Sequence, residues 1–487
     1  MNLADRTRGL LSRAAQVYRD TPDRARLDAL SERLDAPLRV AVAGRVKSGK
    51  STLLNALVGE RLAPTDAGEC TRIVTWYQDG HTYGVTVHPR GGPARSAPFT
   101  REDGAIEVDL GGLSPEKVDQ LVVTWPAQAL RTATLIDTPG IGSLSESAGN
   151  RAWEVLTGEE EETPADAVLY LMRHLHTGDV EFLRAFQDVE VSRPNPVNAI
   201  GVLSRADEIG AGRPDAMGSA RKIAARLSTD PVVRRVVQTV VPMAGLLAET
   251  AATLTETEVA QLRRLAARPP REVEDLLLST DRFLDRLPEL GVTSLERREL
   301  LDRFGVFGLR LASTILRRES VTATELAREL TARSGLEDLH SVLSSLFYTR
   351  RDVLKCRSAL LAVDALVRDR PRTGSEPLSG EVEEILSSAH PFNELRVLSA
   401  LRAGWVTGRP EVLEDLERLI GGFGTAPAER LSLPPDAGGP QLTEAATEAL
   451  HRWQRRAESP MTRHDLAVAA RVAIRSCEGM LTGPAAR

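Results

Sequence analysis

Residues 44–51 read Gly44-Arg45-Val46-Lys47-Ser48-Gly49-Lys50-Ser51, a complete G-x-x-x-x-G-K-S loop. Its glycines let backbone N–H groups turn inward around phosphate oxygens. The whole run from Gly44 to Thr52 is expected to line a nucleotide. Lys50 is placed to reach the β- and γ-phosphates, and the Ser51 hydroxyl to ligate Mg²⁺. A second motif, Leu135-Ile136-Asp137-Thr138-Pro139-Gly140, follows downstream. Asp137 at a strand end can hold Mg²⁺ through water, and the Gly140 N–H can sense the γ-phosphate. In that order the two motifs point to GTP rather than ATP.

A base-reading element should follow a later buried strand. Ile200-Gly201-Val202-Leu203 leads into Ser204-Arg205-Ala206-Asp207. Asp207 suits a carboxylate that accepts two hydrogen bonds from guanine; a helix-capping Asp is the alternative. Arg205 stands where Lys is usual, and its flat guanidinium can stack on a base. Val240-Val241-Pro242-Met243-Ala244-Gly245 then reads as the last strand and a guanine-contacting loop. A backbone N–H near Ala244 would face the base oxygen there. The switch threonine that closes over Mg²⁺ must precede Asp137, and Thr65, Thr71 and Thr75 compete for that role. Thr71 is chosen because it sits just before the strand-like Arg72-Ile73-Val74-Thr75-Trp76-Tyr77; Thr65 is the runner-up. The expected metal set is Ser51, Thr71 and Asp137, and the expected catalytic set is Lys50, Ser51, Thr71 and Gly140.

These residues need a scaffold. Apolar runs predict strands at 38–43, 72–78, 83–88, 120–125, 132–136, 167–172, 198–203 and 237–241. Ala167-Val168-Leu169-Tyr170-Leu171 is apolar throughout, as in a parallel sheet buried on both faces. A helix-like stretch from Ser51 to Val58 completes the strand–loop–helix context that the first motif needs. Residues 1–36 read as two helices, with Leu10, Leu11, Ala14, Val17 and Tyr18 forming one stripe. After residue 250 the pattern is helical, and 336–369 predicts one helix of about 50 Å. The expected fold class is an α/β P-loop GTPase domain plus an extended all-α neck and trunk. The GTPase domain has a mostly parallel sheet with helices on both faces. The expected domains are 1–36 packing with the neck, 37–250, and 251–487.

The chain has 487 residues and a net charge of −6, so no basic excess points to nucleic acid. Cys70, Cys356 and Cys477 lack metal-ligand spacing and suit a reduced cytosolic protein. Asp5, Arg6, Arg8 and Arg13 argue against a signal-peptide core. No apolar run approaches membrane-spanning length, so a membrane role must be peripheral. Between 347 and 372, seven basic residues (Arg350, Arg351, Lys355, Arg357, Arg368, Arg370, Arg372) face Asp352, Asp364 and Asp369. Beside them the loop near 370–378 is a candidate tip for anionic lipid. Phe392, Trp405 and Phe423 are the alternative anchors.

The order of elements resembles the dynamin superfamily, motif by motif at Gly44–Ser51, Thr71, Asp137–Gly140 and Ser204–Asp207. More closely it is similar to the actinobacterial isoniazid-inducible dynamin-like proteins. Ala63-Pro64-Thr65-Asp66, the 204–213 segment and Ile420-Gly421-Gly422 carry that likeness. The resemblance implies GTP/GDP and Mg²⁺ as cofactors and self-association through the GTPase domains. It also implies a dynamin-like paralogue as partner and remodelling of the cytoplasmic membrane from its inner face, in envelope stress or septation. Two departures stand out: dynamins carry Gln where this chain has Val46, and Ile141 stands where many small GTPases orient water with Gln. Slow basal hydrolysis is therefore expected, with Lys47 or Arg72 as alternative sources of charge. A nucleotide-gated scaffold that aids a catalytic paralogue, and an RNA- or ribosome-associated GTPase, are the competing readings.

Overall fold

The computed structural model describes residues 2–64, 73–102, 105–139, 165–173, 198–285, 291–318, 321–402 and 404–482. Eleven strands lie among them: β1 (Leu38–Gly44), β2 (Val74–Gln78), β3 (Gly84–Pro89), β4 (Arg95–Ala97), β5 (Phe99–Glu102), β6 (Ala105–Val108), β7 (Val118–Thr124), β8 (Ala133–Asp137), β9 (Ala167–Met172), β10 (Ala199–Ser204) and β11 (Val240–Met243). Nine form one sheet in the order β11-β10-β9-β1-β8-β2-β7-β3-β4, and β5 pairs with β6 apart from it. From β11 to β8 the neighbours run parallel; β2 is antiparallel to β8. β9 and β10 are buried at every position, which explains their unbroken apolar sequences. Each of the eight expected strands is present within three residues at either end; the short β4, β5 and β6 were not foreseen.

Two hydrophobic cores cover the sheet. One joins the helices Leu3–Val17 and Asp23–Arg33 to the helices from residue 336 onward. Tyr18 is fully buried there, and its hydroxyl donates to the Arg370 carbonyl at 2.8 Å. The other core joins the sheet to the helices Ala216–Thr229, Glu256–Ala266, Ser294–Leu316 and Ala323–Ser334. Hydrophobic packing therefore changes partner near Gly335 rather than near residue 250. Gly335 has φ 86°, and a Cβ there would lie 2.3 Å from the Pro242 carbonyl oxygen, so only glycine lets the chain pass β11 so closely. Three T-x-x-E capping boxes start helices in this region, at Thr255, Thr293 and Thr322.

The single helix expected over 336–369 is instead two, Leu336–Leu346 and Arg351–Asp369, broken by a turn at Tyr348–Arg350. Phe347 is buried at that break, and the buried Arg350 donates to the Gly421 carbonyl. Tertiary contacts thus outweigh a helical pattern that carries no glycine or proline stop. The basic cluster expected to serve a lipid tip is largely engaged within the protein. Lys355 donates to the Leu34 and Ala36 carbonyls, Arg368 pairs with Asp364, and Arg370 pairs with Asp23. Leu378 is buried as well. The charge argument for a tip at 370–378 is correspondingly weak.

Candidate nucleotide site

The parallel strands β1, β8, β9, β10 and β11 end on one edge, where Gly44 pairs with Leu171 and Ser204 with Met243. Ligands of open α/β sheets bind at that carboxyl edge. Gly44 has φ 149°, and a Cβ would sit 2.6 Å from the Leu171 carbonyl oxygen. Glycine is required there for close approach to β9. Lys47 (φ 61°) and Gly49 (φ 93°) take left-handed conformations that curl the loop. The helix Lys50–Val58 starts directly behind it. Arg45, Val46 and Lys47 are exposed, whereas Ser48 is buried.

Lys50 Nζ rests on the carbonyls of Gly44 and Arg45, each at 3.2 Å. Burial pushes its pKa down, opposed by the nearby Asp137 charge. Ser51 Oγ donates to Asp137 Oδ2 at 3.1 Å. Burial pushes the Asp137 carboxyl up, against the pull of Lys50 and the Ser51 hydrogen bond. Asp137 Oδ1 and Ser48 Oγ are buried with no hydrogen-bond partner among the described residues. A hydroxyl and a carboxylate side by side, with one carboxylate oxygen unmet, fit a hard divalent cation held by oxygen ligands. Thr138 follows, its hydroxyl donating to the Val42 carbonyl at 3.0 Å. Thr71, Gly140 and Ile141, with Thr65, Cys70 and Arg72, lie outside the described residues.

A cavity of about 140 Å³ opens beside this loop. Ser48, Gly49, Thr52, Arg205, Asp207 and Gly245 line it, with an apolar wall of Leu53, Leu171, Val202, Met243 and Leu246. The structure therefore brings the phosphate loop and the base-reading segment to one cleft. Asp207 is 8% exposed, and burial pushes its pKa up to about 6. Arg205, at φ 51°, hydrogen-bonds Glu208 at 2.7 Å, so stacking on a base would compete with that pair. Arg173 also faces Glu208 at 3.5 Å.

Ala244 needs correction. Its N–H already donates to the Ser334 carbonyl at 2.8 Å, and it is fully buried. Gly245, which opens the helix Gly245–Ala252, is the residue of that pair that lines the cavity. Sequence reasoning missed Leu246 and Gly305. Inside Ser294–Leu316, Gly305 takes φ 60° and ψ 176°, a conformation essentially restricted to glycine. A Cβ there would meet Leu246 Cδ2 at 3.7 Å and Asp207 Oδ2 at 3.9 Å. The kink thus brings a distant helix against the base-reading carboxylate. Two glycines amid helical pattern, Gly305 and Gly308, were the signal available for it. Asn55 was missed too: its Oδ1 accepts from the Leu62 and Ala63 amides, and its Nδ2 donates to Glu249. It fastens the segment that leads towards Thr71.

The dynamin-family sequence profile matches residues 40–206. The isoniazid-induced protein IniC of Mycobacterium tuberculosis is 40% identical over 100% of both chains. The chain belongs to the bacterial dynamin-like GTPase family. A bacterial dynamin-like protein of Nostoc punctiforme is 34% identical over 21% of this chain and 16% of its own. A solved structure of an oligomerised bacterial dynamin pair aligns over 99% of this chain and 75% of that one, at 12% identity and a TM-score of 0.30. In this dynamin-family chain the loop position where dynamins carry Gln is Val46, which is 47% exposed. Among the described residues no helix is long and apolar enough to cross a membrane.

Proposed function

We propose that the chain binds GTP and hydrolyses it slowly with Mg²⁺, and that nucleotide-dependent self-association couples this cycle to remodelling of the cytoplasmic membrane. The observation that carries the chemistry is the convergence of Ser51, Asp137 and Asp207 on one sheet edge. Ser51 and Asp137 would hold Mg²⁺, which supplies charge neutralisation between β- and γ-phosphate oxygens. Lys50 leaves the Gly44 and Arg45 carbonyls to meet phosphate. The ionised Asp207 accepts the guanine N–H groups while Leu246 and Met243 exclude water around the base. The Gly245 N–H is the backbone donor near Ala244 that faces the base oxygen. Val46 offers no group to orient an attacking water, so the rate depends on a second GTPase domain or a paralogue.

The membrane part rests on surface chemistry. Phe392 is buried, whereas Trp405 and Phe423 are about half exposed and Met461 is 92% exposed. Thr407 bonds Asp465 through both its amide and hydroxyl, which ties the Trp405 loop to the turn that carries Met461. Peripheral contact with the inner face of the membrane through these residues fits better than contact through 370–378. The test is Mg²⁺-dependent GTP turnover across protein concentrations, with and without anionic liposomes. Turnover per molecule should rise with concentration, and GTP-dependent liposome sedimentation should vanish in Lys50→Ala. Flat turnover with unchanged sedimentation would overturn the reading. The exposed Val46 also favours the nucleotide-gated scaffold; single-turnover hydrolysis by the isolated chain separates the two.

A further inference from the structure

Far from the nucleotide cleft, three arginines converge on the Ile420-Gly421-Gly422 turn. Arg350 donates through Nη2 to the Gly421 carbonyl. Arg402 donates to the Gly422 carbonyl at 3.1 Å and to Glu417 Oε1 at 3.0 Å. Arg430 clamps Glu394 at 2.8 and 3.0 Å. A Cβ on Gly421 would lie 2.6 Å from Arg350 Nη2 and 3.1 Å from Arg430 Nη2, so the two guanidiniums sit side by side. Arg350 and Arg402 are each 5% exposed.

The charges here do not balance. Both carboxylates are shared: Glu417 also takes Arg234 at 3.0 Å, and Glu394 also takes Ser476 at 2.7 Å and His390 at 3.3 Å. Four guanidiniums therefore share two carboxylates; the further carboxylate at the loop, Glu429, lies against Gly424 and accepts from the Ala426 amide. Among the described residues Arg350 has no carboxylate partner in an ion pair. Arg350 Nη1, Arg402 Nη1 and Arg430 Nε are all buried without a hydrogen-bond partner among the described residues. Burial, reinforced by Arg430 and Arg402 and only partly offset by the Glu394 carboxylate, pushes Arg350 down to about 10. Buried positive charge in excess of its counter-charge is unfavourable, and orphaned buried donors in a native fold call for an occupant. Water would satisfy the donors but not the charge.

We propose that a small monovalent anion of chloride size binds among Arg350, Arg402 and Arg430, beside the Gly421-Gly422 turn. The near-complete burial of these side chains excludes a nucleotide or a lipid headgroup, and a singly charged ion is the least costly to dehydrate. The anion steadies more than the turn. Arg402 and Arg234 share Glu417, and Arg234 lies in the turn Val233–Arg235 just before β11. Occupancy therefore reinforces the contact between the later helices and the GTPase sheet.

The test uses the full chain in sodium gluconate, with chloride replacing gluconate at constant ionic strength. A ligand that binds only the folded state raises stability as the logarithm of its concentration above Kd. The wild type should gain several degrees in Tm, as should the exposed-site control Arg351→Met. Arg350→Met should show no chloride-dependent gain. Bromide-soaked crystals of the wild type should show an anomalous peak in contact with Arg350 Nη1, a readout that holds even if Arg350→Met does not fold. Equal chloride gains in wild type and Arg350→Met, or an ordered water with no anomalous signal at that position, would overturn the proposal.

Discussion

The two ends of the parallel strands are built on opposite principles. At the carboxyl end, Asp137 and Ser48 bury polar atoms without protein partners, Asp207 is held against its preference for charge, and three loop residues bend into left-handed conformations. At the amino end, Asp166 is buried with both carboxylate oxygens bonded, to Arg33 at 2.6 Å and to the Arg39 amide at 3.0 Å. Lys355 there caps the carbonyls of Leu34 and Ala36. The first end tolerates unmet polar groups because a ligand is to meet them. At the second, the Asp166 carboxylate is met in full by Arg33 and the Arg39 amide, which fixes the N-terminal helices to the sheet. Strain and stability are thus separated along a strand only five residues long, Ala133–Asp137.

The sharpest way to break this contrast is Arg33→Met. The pair with Asp166 is almost fully shielded, at 4% and 0% side-chain exposure. Removing one partner of such a pair costs about 3–5 kcal/mol, because it strands a buried charge. Urea denaturation should register that loss, while GTP affinity of the folded fraction stays within about twofold, since distant, independent sites act additively. A large loss of affinity would show that the two ends are not separate.

Lys50→Ala should do the reverse. Turnover should fall by at least about a hundredfold, as when one charged transition-state donor is lost. Burial already disfavours the charged form of Lys50, so Tm should hold or rise. A strongly destabilised Lys50→Ala would mean that this end also holds the fold together.

How far each end could be read from the chain follows from the same contrast. The carboxyl end is built from contiguous residues: Gly44 to Ser51 is one motif, Asp137 closes an apolar run, and Asp207 follows another within four residues. Spacing therefore exposed it. The amino end depends on Arg33 meeting Asp166 across 133 residues, and no local pattern announces such a pair. Gly305 beside Asp207, and the break at Phe347–Arg350, were hidden for the same reason. That Ala244's own amide is claimed by Ser334, ninety residues away in the sequence, was equally hidden. Eight of the strands were legible to within three residues, and the short β4, β5 and β6 were not. The partition of the helices between two cores was not, since helices on either side of Gly335 carry the same periodicity.

Acidity offers a gentler probe of the ligand end. Burial raises the Asp207 pKa from 3.8 to about 6 in the ligand-free protein. With the folded pKa raised, the folded state holds the extra proton between those two values. The group's contribution to ligand-free stability is therefore present at low pH and lost as pH rises from about 4 to about 6. GTP binding runs the other way, because only the carboxylate accepts both guanine N–H groups. Affinity should be full at pH 7 and about tenfold weaker at pH 5, following one proton per site. Calorimetric titration at both values checks it, and Asp207→Asn should bind GTP poorly at either. An affinity that ignores pH would place the guanine elsewhere.

The smallest expected effect is the most diagnostic of how the ligand end works. Val46 is half exposed, so Val46→Gln should change stability by no more than about 0.5 kcal/mol. It places an amide where water or a γ-phosphate oxygen can be hydrogen-bonded, the role of water-positioning groups in other GTPases. Turnover by the dilute chain should therefore rise a few-fold, and its dependence on protein concentration should shrink. If the rate rises but the concentration dependence persists, the second copy supplies something other than water positioning. If the rate does not rise, the slow step lies after phosphoryl transfer, and the unfinished end of the sheet would serve mainly to hold GTP.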